Sequence, residues 1–144
     1  MINKSISICF LILFSFFSCE ENEIVNSDKS IFDDKIVVDE NPYENAPNDV
    51  FTFKNVEIEN NCLIVKIEYG GGCGKIELNL YDSGKVMESY PVQRNIRLSL
   101  KDEDYCKALI TKEFSFDLTP IKLGEHDKII LNLLDWNDRL IYEY

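Results

Sequence analysis

The chain has 144 residues and a formal net charge of −11, with 26 acidic and 15 basic side chains. A surface this acidic repels phosphate backbones, so the composition argues against nucleic-acid binding. The length allows one domain of modest size.

The first 18 residues have the pattern of a secretory signal. Residues 6–17 form a nearly unbroken apolar run, and Lys4 is the one charged side chain before it. As a helix this run reaches roughly 18 Å, well short of a hydrocarbon core of about 30 Å. We therefore predict a cleaved leader and not a membrane span.

The end of the apolar run, Ser18-Cys19, resembles a bacterial lipobox, in which the cysteine after the cut receives lipid. Phe17 stands two positions before Cys19, where a lipobox usually has a small residue. An ordinary signal peptide with a chance cysteine remains the alternative. Acyl chains on Cys19 would anchor the protein to the outer membrane. Glu20, Glu21 and Glu23 resemble the acidic tag of surface lipoproteins of the Bacteroidota, so both the cell surface and the periplasmic face stay open.

Residues 19–49 are predicted to form the lipidated cysteine and a flexible acidic linker. Asn, Asp, Glu and Pro dominate this stretch, a composition typical of a tether. Residues 36–38 are apolar and allow an edge strand, which leaves the domain boundary open by several residues.

From residue 50 to 144 the hydrophobic pattern has a period of two, which predicts strands with one buried face. Eight strands are expected, and Asp82-Ser83-Gly84 is predicted to close a hairpin between the third and fourth. The predicted ranges are 51–59, 62–69, 75–81, 85–90, 95–100, 108–118, 128–134 and 139–144. Regular short strands indicate a β-sandwich or barrel, and we predict an all-β, antiparallel β-sandwich of about seven to eight strands, of the immunoglobulin-like or a related type.

Three cysteines remain for the secreted domain: Cys62, Cys73 and Cys106. A strand separates Cys62 from Cys73 by about 23 Å, whereas a disulfide needs Cα atoms within about 7 Å. We predict Cys73–Cys106, worth about 3.8 kcal/mol in the chain-entropy model. A Cys62–Cys106 bridge stays open, because spacing alone does not fix connectivity.

The stretch YGGGCGK, residues 69–75, invites comparison with a phosphate-binding loop. Tyr69 stands where that motif needs its first glycine, and Ile76 stands where it needs a metal-binding hydroxyl. The glycines are expected instead to allow a sharp turn that brings Cys73 close to neighbouring backbone. A peptide- or glycan-binding loop that uses Gly71, Gly72 and Lys75 is the alternative.

Residues 135–138, DWND, are predicted to form a hairpin tip. Trp136 is either a stacking platform for a sugar or partner, or a ring folded back over the core edge. His126 is the single histidine, and we predict a solvated loop position for it; no catalytic residue, metal site or cofactor is expected.

Two segments together, YGGGCGKIELNL and CKALITKEFSFDLTPIK, resemble a group of small uncharacterised Bacteroidota lipoproteins. The matching positions carry a Gly-Gly-Cys turn after a strand and a later Cys-x-Ala and Phe-Asp-Leu-x-Pro segment: Gly71, Gly72, Cys73, Cys106, Ala108, Phe116, Asp117, Leu118 and Pro120. Members often have a histidine shortly after the first cysteine, where this chain has Lys75 and Ile76. The resemblance covers about 50 residues and implies no activity.

These features predict a lipid-anchored, non-enzymatic binding or accessory module of the cell envelope. Its partners would be the membrane, through the lipid, and an envelope protein or glycan. The alternatives are an inhibitor of a basic hydrolase of the lysozyme or protease type and a small hydrolytic enzyme.

Overall fold

The computed structural model describes residues 33–144, so the predicted leader, Cys19 and the first part of the linker lie outside the described residues. In chain order the elements are β1 (Asp33–Lys35), β2 (Val37–Val38), α1 (Glu40–Asn45), β3 (Phe51–Glu59), β4 (Cys62–Gly71), β5 (Ile76–Met87), β6 (Gln93–Asp102), β7 (Ala108–Asp117), a 3₁₀ turn (Thr119–Ile121), β8 (Lys128–Leu133) and β9 (Leu140–Glu143). Neither helical element of this part of the chain has the length and apolar character needed to cross a bilayer.

The strands form two sheets, which confirms the β-sandwich. One sheet has the order β1-β7-β4-β3, and the other has the order β2-β5-β6-β8-β9. Neighbours pair in antiparallel fashion except at β1–β7, β2–β5 and β6–β8, which are parallel. The parallel pairs arise because β1 and β2 add to the sheet edges and because a long connection containing the 3₁₀ turn returns the chain to β6.

Alternate side chains of each strand fill the space between the sheets, as the period of two predicts. On β4, for example, Leu63, Val65 and Ile67 are completely buried, whereas Lys66 is exposed. Their partners across the core come from the other sheet, and burial of this apolar area is the main favourable term in folding. The largest fully buried side chains are Tyr142, Phe116, Leu63, Ile67, Leu80, Ile96, Leu100, Leu118, Ile121, Ile129 and Leu131.

The hairpin predicted at Asp82-Ser83-Gly84 is wrong, because these residues form a bulge inside one continuous strand, β5. Gly84 takes a φ of 74°, and its N–H donates to the Asp82 carboxylate at 2.7 Å. The same carboxylate accepts two bonds from the guanidinium of Arg94, at 2.8 and 2.7 Å, and both side chains are buried. The turn-forming residues therefore bend the strand around a buried ion pair without reversing the chain.

The described end of the predicted linker packs against the domain, and the edge strand allowed at residues 36–38 is present as β2. Residues 33–35 pair with β7, residues 37–38 pair with β5, and Ile36 between them is 3% exposed in the core. This segment crosses from one sheet to the other and closes part of the open side of the sandwich. The acidic composition hides this because the pairing uses backbone groups.

Residues 39–49, here called the strap, run over the outer face of the second sheet. Arg97 donates from its guanidinium to the carbonyl oxygens of Tyr43 and Ala46, each at 2.8 Å. The Ser99 hydroxyl donates to the carbonyl oxygen of Pro47 at 2.7 Å. Two outward-facing side chains of β6 thus hold a segment whose composition is typical of a coil, including the short helix α1 that the sequence pattern misses.

Replacing Arg97 by Met should free the strap while keeping the apolar stem of the side chain. Loss of the charged hydrogen bonds is expected to lower the free energy of unfolding by about 2 kcal/mol. Amide exchange at Ala46, whose N–H donates to Pro42 at 2.9 Å, should rise in step. Urea unfolding and hydrogen exchange measure both effects.

Lys101→Met is the matched control, because Lys101 lies on the same face of β6 with an exposed side chain paired to Glu103. It should cost well under 1 kcal/mol. Equal stability of the two variants would contradict the anchoring role of Arg97.

Candidate binding surface

The predicted disulfide is confirmed and fixes the glycine-rich loop, residues 71–75, between β4 and β5. Cys73 is bonded to Cys106, and their Cα atoms lie 6.0 Å apart. Cys62 is a free thiol at the start of β4 and is half-buried. The bridge joins the loop to the segment that precedes β7, so the two connections form one unit at this end of the sandwich.

The centre of this unit is the carboxylate of Asp104. One oxygen accepts N–H bonds from Gly72 at 2.6 Å, Cys73 at 2.8 Å and Gly74 at 2.7 Å. The other oxygen accepts the Cys106 N–H at 2.8 Å. Successive backbone N–H groups that converge in this way form an anion-binding nest, and here the anion comes from the same chain.

Two glycines are required by this arrangement. Gly72 has a φ of 119°, which L side chains rarely adopt. At Gly74 a Cβ would lie 2.8 Å from the Cα of Asp104, so only glycine allows the loop to wrap so closely around the carboxylate. The turn that the sequence predicts is therefore correct, and its target is the segment around Asp104.

Backbone N–H groups of Cys106, Gly74, Cys73 and Gly72 lower the pKa of Asp104 to about 2. The carboxylate therefore stays charged throughout the neutral range and keeps the nest occupied. An incoming phosphate would have to displace it, which gives a structural reason to set the phosphate-loop interpretation aside.

Cys73, Asp104 and Cys106 also bring three potential metal-ligand atoms within 4.8 Å of one another. The thiolate is the form of cysteine that binds metal, so this oxidised pair is not a metal centre.

A cleft of about 740 Å³ opens beside the loop, between β7 of one sheet and β5 of the other. Gly72, Gly74 and Lys75 contribute to its mouth, whereas Gly71 does not line it. Its walls carry apolar side chains from both sheets: Tyr69, Ile76, Leu78, Ile110, Phe114 and Phe116. Clefts of this size and character are typical of ligand sites.

Two large side chains next in sequence to cleft-lining residues are exposed. Tyr105, between Asp104 and the disulfide, is 98% exposed, and Leu109 at the start of β7 is 71% exposed. Exposed aromatic groups on a rigid loop are characteristic of contact surfaces. We call Tyr105, Leu109 and the glycine-rich loop the loop surface.

The hairpin tip predicted at residues 135–138 is present between β8 and β9. Trp136 is half-buried and packs against Phe53 with ring centroids 5.8 Å apart, so it folds back over the core edge. Its Nε1 atom is buried and has no hydrogen-bond partner among the described residues. The ring also lines a second cleft, of about 420 Å³, with residues 48–53.

Trp136 and the loop surface lie at the same end of the sandwich. β8 runs parallel to β6, so the tip after β8 points toward the end of β6 at Asp102. Asp102 in turn pairs with Ile76, which follows the glycine-rich loop. The two clefts share no lining residue. Trp136 and the predicted loop residues Gly71, Gly72 and Lys75 therefore lie at one end of the sandwich but do not line one pocket.

Sequence reasoning missed the role of Asp104. Residues 102–104 have the composition of a solvated acidic turn, and the partners of Asp104 lie about 30 positions away. The available signal was its position two residues before Cys106, which the disulfide places next to the loop. His126 lies exposed in a loop, where the sequence places it.

The fold is similar to that of two solved Bacteroides proteins. A protein of unknown function, DUF1344, from Bacteroides vulgatus matches with a TM-score of 0.55 and 17% identity over 79% of this chain and 56% of its own. A NigD-like immunity protein from Bacteroides caccae matches with a TM-score of 0.56 and 11% identity over 70% of this chain and 51% of its own. This chain thus spans about half the length of either structure, and likeness at such identities shows the fold alone.

Comparison with family models and with curated proteins gives no match.

Replacing Asp104 by Asn should destabilise the domain at neutral pH, because an amide neither carries the charge nor accepts four N–H bonds. The folded-state pKa of Asp104 is about 2, below an unfolded value of about 3.9. The stabilisation is therefore present in full above the unfolded pKa and is lost as the pH falls toward 2. The stability gap between wild type and variant, measured by urea unfolding, should shrink over that range.

Asp138→Asn serves as the control, since Asp138 is exposed and its carboxylate accepts no hydrogen bond from the described residues. Parallel pH profiles for the two variants would show that the Asp104 carboxylate does not hold the loop.

Proposed function

We propose that this protein is a non-catalytic binding or accessory module of the cell envelope, anchored to the outer membrane by lipid on Cys19, which binds a partner protein at the loop surface. The disulfide and the four N–H bonds to Asp104 carry this proposal, because they hold an exposed surface in one conformation before a partner arrives. A preorganised surface loses less conformational entropy on association. Its exposed tyrosine belongs to the residue types enriched where interfaces concentrate their binding energy.

The resolved pKa shifts of the described carboxyl groups favour binding over general-acid catalysis by these groups. The carboxyl groups with a resolved pKa shift, Glu103, Asp104 and Asp117, all have a lowered pKa because hydrogen bonds stabilise the charged form. A general acid working near neutral pH needs the opposite shift.

An inhibitor or immunity role is the second candidate. The solved neighbour from Bacteroides caccae is named a NigD-like immunity protein, and a net charge of −11 would attract a basic hydrolase. A rigid exposed loop is also the kind of element that blocks an active-site cleft. This role would use the same loop surface as the first proposal.

A photo-reactive benzoyl-phenylalanine in place of Tyr105 tests the proposed surface in living cells. Irradiation should join the protein covalently to a partner that mass spectrometry identifies. The same substitution at Tyr90 is the control, because Tyr90 is 96% exposed but lies before β6, at the opposite end of the sandwich.

Adducts from position 105 and none from position 90 would support the binding role, and equal yields at both would contradict it. If the partner is a hydrolase, its activity with and without the purified protein separates the two candidates. Inhibition at stoichiometric ratio favours the inhibitor, and unchanged activity favours the accessory module.

The lipid anchor is tested by intact mass after membrane extraction. The expected product begins at Cys19 and carries acyl chains, and reduction of the Cys73–Cys106 disulfide should increase the mass by two hydrogen atoms. In a Cys19→Ser variant the protein should leave the membrane fraction. An unacylated N-terminus, or a chain cut elsewhere, would contradict the anchor.

A further inference from the structure

The second cleft, of about 420 Å³, lies between the start of β3 and the hairpin tip that follows β8. Residues 48–53 form one wall, and residues 135–137 form the other. Packing between the rings of Phe53 and Trp136 joins the two walls at a centroid distance of 5.8 Å. The volume falls within the range of about 300–1,000 Å³ that is typical of small-ligand sites, so the cleft can hold one long side chain.

The charged groups that line the second cleft are all acidic. Asp49 and Asp135 contribute carboxylates, and none of the described lining residues is basic. The N–H of Asp102 donates to one carboxylate oxygen of Asp49 at 2.7 Å, which holds that side chain at the wall. A cleft lined by one sign of charge concentrates the opposite sign, so the second cleft favours a cation.

Three basic residues lie close in sequence to the residues that frame the second cleft, but none of them lines it: Lys54, Lys101 and Arg139. Lys54 pairs with Glu68 at 2.6 Å, and Lys101 pairs with Glu103 at 2.7 Å. The side chain of Arg139 is exposed beyond the tip. The carboxylates of the cleft therefore keep their attraction for an incoming cation.

Aromatic rings supply the apolar part of the second cleft. Phe51, Phe53 and Trp136 all line it, and they pack edge to face, with centroids 5.1 Å apart for the two phenylalanines. The faces of aromatic rings carry negative potential and attract cations. The rings and the carboxylates thus select the same sign of charge.

The hydrogen-bonding groups favour arginine among the cationic side chains. Asn48, Thr52 and Asn137 add side-chain oxygens to the two carboxylates, so acceptors lie on both walls. A guanidinium carries five N–H donors on a plane that stacks on aromatic rings, whereas an ammonium is a compact and strongly hydrated charge. Trp136 Nε1 is a buried donor without an acceptor among the described residues, which favours an occupant that also brings carbonyl oxygens, as a peptide does.

We infer that the second cleft binds an arginine side chain of the partner protein, its guanidinium paired with the carboxylates of Asp49 and Asp135 and packed against the aromatic wall. This inference rests on the proposed binding role, because the second cleft and the loop surface lie at the same end of the sandwich. It specifies the chemistry that the partner presents there.

The probe is the peptide acetyl-Gly-Ser-Arg-Ser-Gly-amide, and the receptor is the chain as cells produce it, purified in a nonionic detergent. The control peptide carries citrulline, which keeps the shape of arginine and lacks its charge. Trp136 is the single tryptophan of the chain, so its fluorescence reports occupancy of the cleft. The arginine peptide should bind about fivefold more tightly, since exposed cation–aromatic and ion-pair contacts are each modest.

Asp49→Asn combined with Asp135→Asn should reduce this preference to about twofold, the part that the aromatic rings contribute. Asparagine still accepts the Asp102 N–H and tolerates the φ of 64° at position 135, so the domain should stay folded. Asp127→Asn combined with Asp138→Asn removes the same charge at exposed positions outside the cleft and should preserve the preference. Urea unfolding confirms that both variants fold.

Equal affinity for the two peptides, no fluorescence response to either, or a preference that survives in the cleft variant would overturn the inference. An equal loss in the control variant would do the same, because the preference would then reflect the overall charge. A fluorescence response to N-acetylglucosamine oligomers and to neither peptide would assign the cleft to a glycan and remove the arginine.

Photo-crosslinking at position 105 separates this inference from the proposed role. Adducts at Tyr105 without a preference for the arginine peptide would leave the binding role intact and remove the arginine alone. A preference for arginine without adducts at Tyr105 would support the cleft and remove the loop surface as the site of the partner.

Discussion

A single carboxylate organises the end of this sandwich. Asp104 accepts N–H bonds from Gly72, Cys73, Gly74 and Cys106, and so joins two connections that leave different sheets. The Cys73–Cys106 bridge makes this junction covalent beside it. Without an anion, several backbone N–H groups of the nest would lack a hydrogen-bond acceptor. The Asp104 carboxylate supplies that acceptor from within the chain, and we call this arrangement the clasp. The shape of the loop surface and the mouth of the cleft both depend on it.

The second organising feature is the path of the chain from Asp33 to Asp49. It closes half of the gap between the sheets, buries Ile36, and then crosses the outer face of β6 under hydrogen bonds from Arg97. Within residues 33–144, the other half of the gap forms the cleft beside the clasp. Residues 33–38 fill the half of the gap that lies away from the loop surface. The cleft therefore lies at the same end as the loop surface.

The sequence predicts those parts of the structure that local patterns encode. Alternation at Leu63, Val65 and Ile67 reports burial on one face, so the sandwich was predictable. Strand length excludes a Cys62–Cys73 bridge but does not choose between Cys73–Cys106, which the structure contains, and Cys62–Cys106. The bulge at Asp82 was not, since a turn and a bulge use the same residue types and only the ion pair with Arg94 distinguishes them. Asp104 and Arg97 form hydrogen bonds with backbone groups that are remote in sequence. Every residue type except proline carries the same backbone donor and acceptor, so the amino-acid sequence does not indicate these partners.

The most direct measurement of the central interaction is a carbon-detected NMR titration of the Asp104 carboxyl group in the folded protein. The four N–H bonds to the carboxylate predict an apparent pKa of about 2 for this side chain, together with a concerted shift of the Gly72 and Gly74 amide protons over the same pH range. An Asp104 pKa near the ordinary value of about 3.9, with glycine amides that do not respond, would show that the carboxylate does not fill the loop.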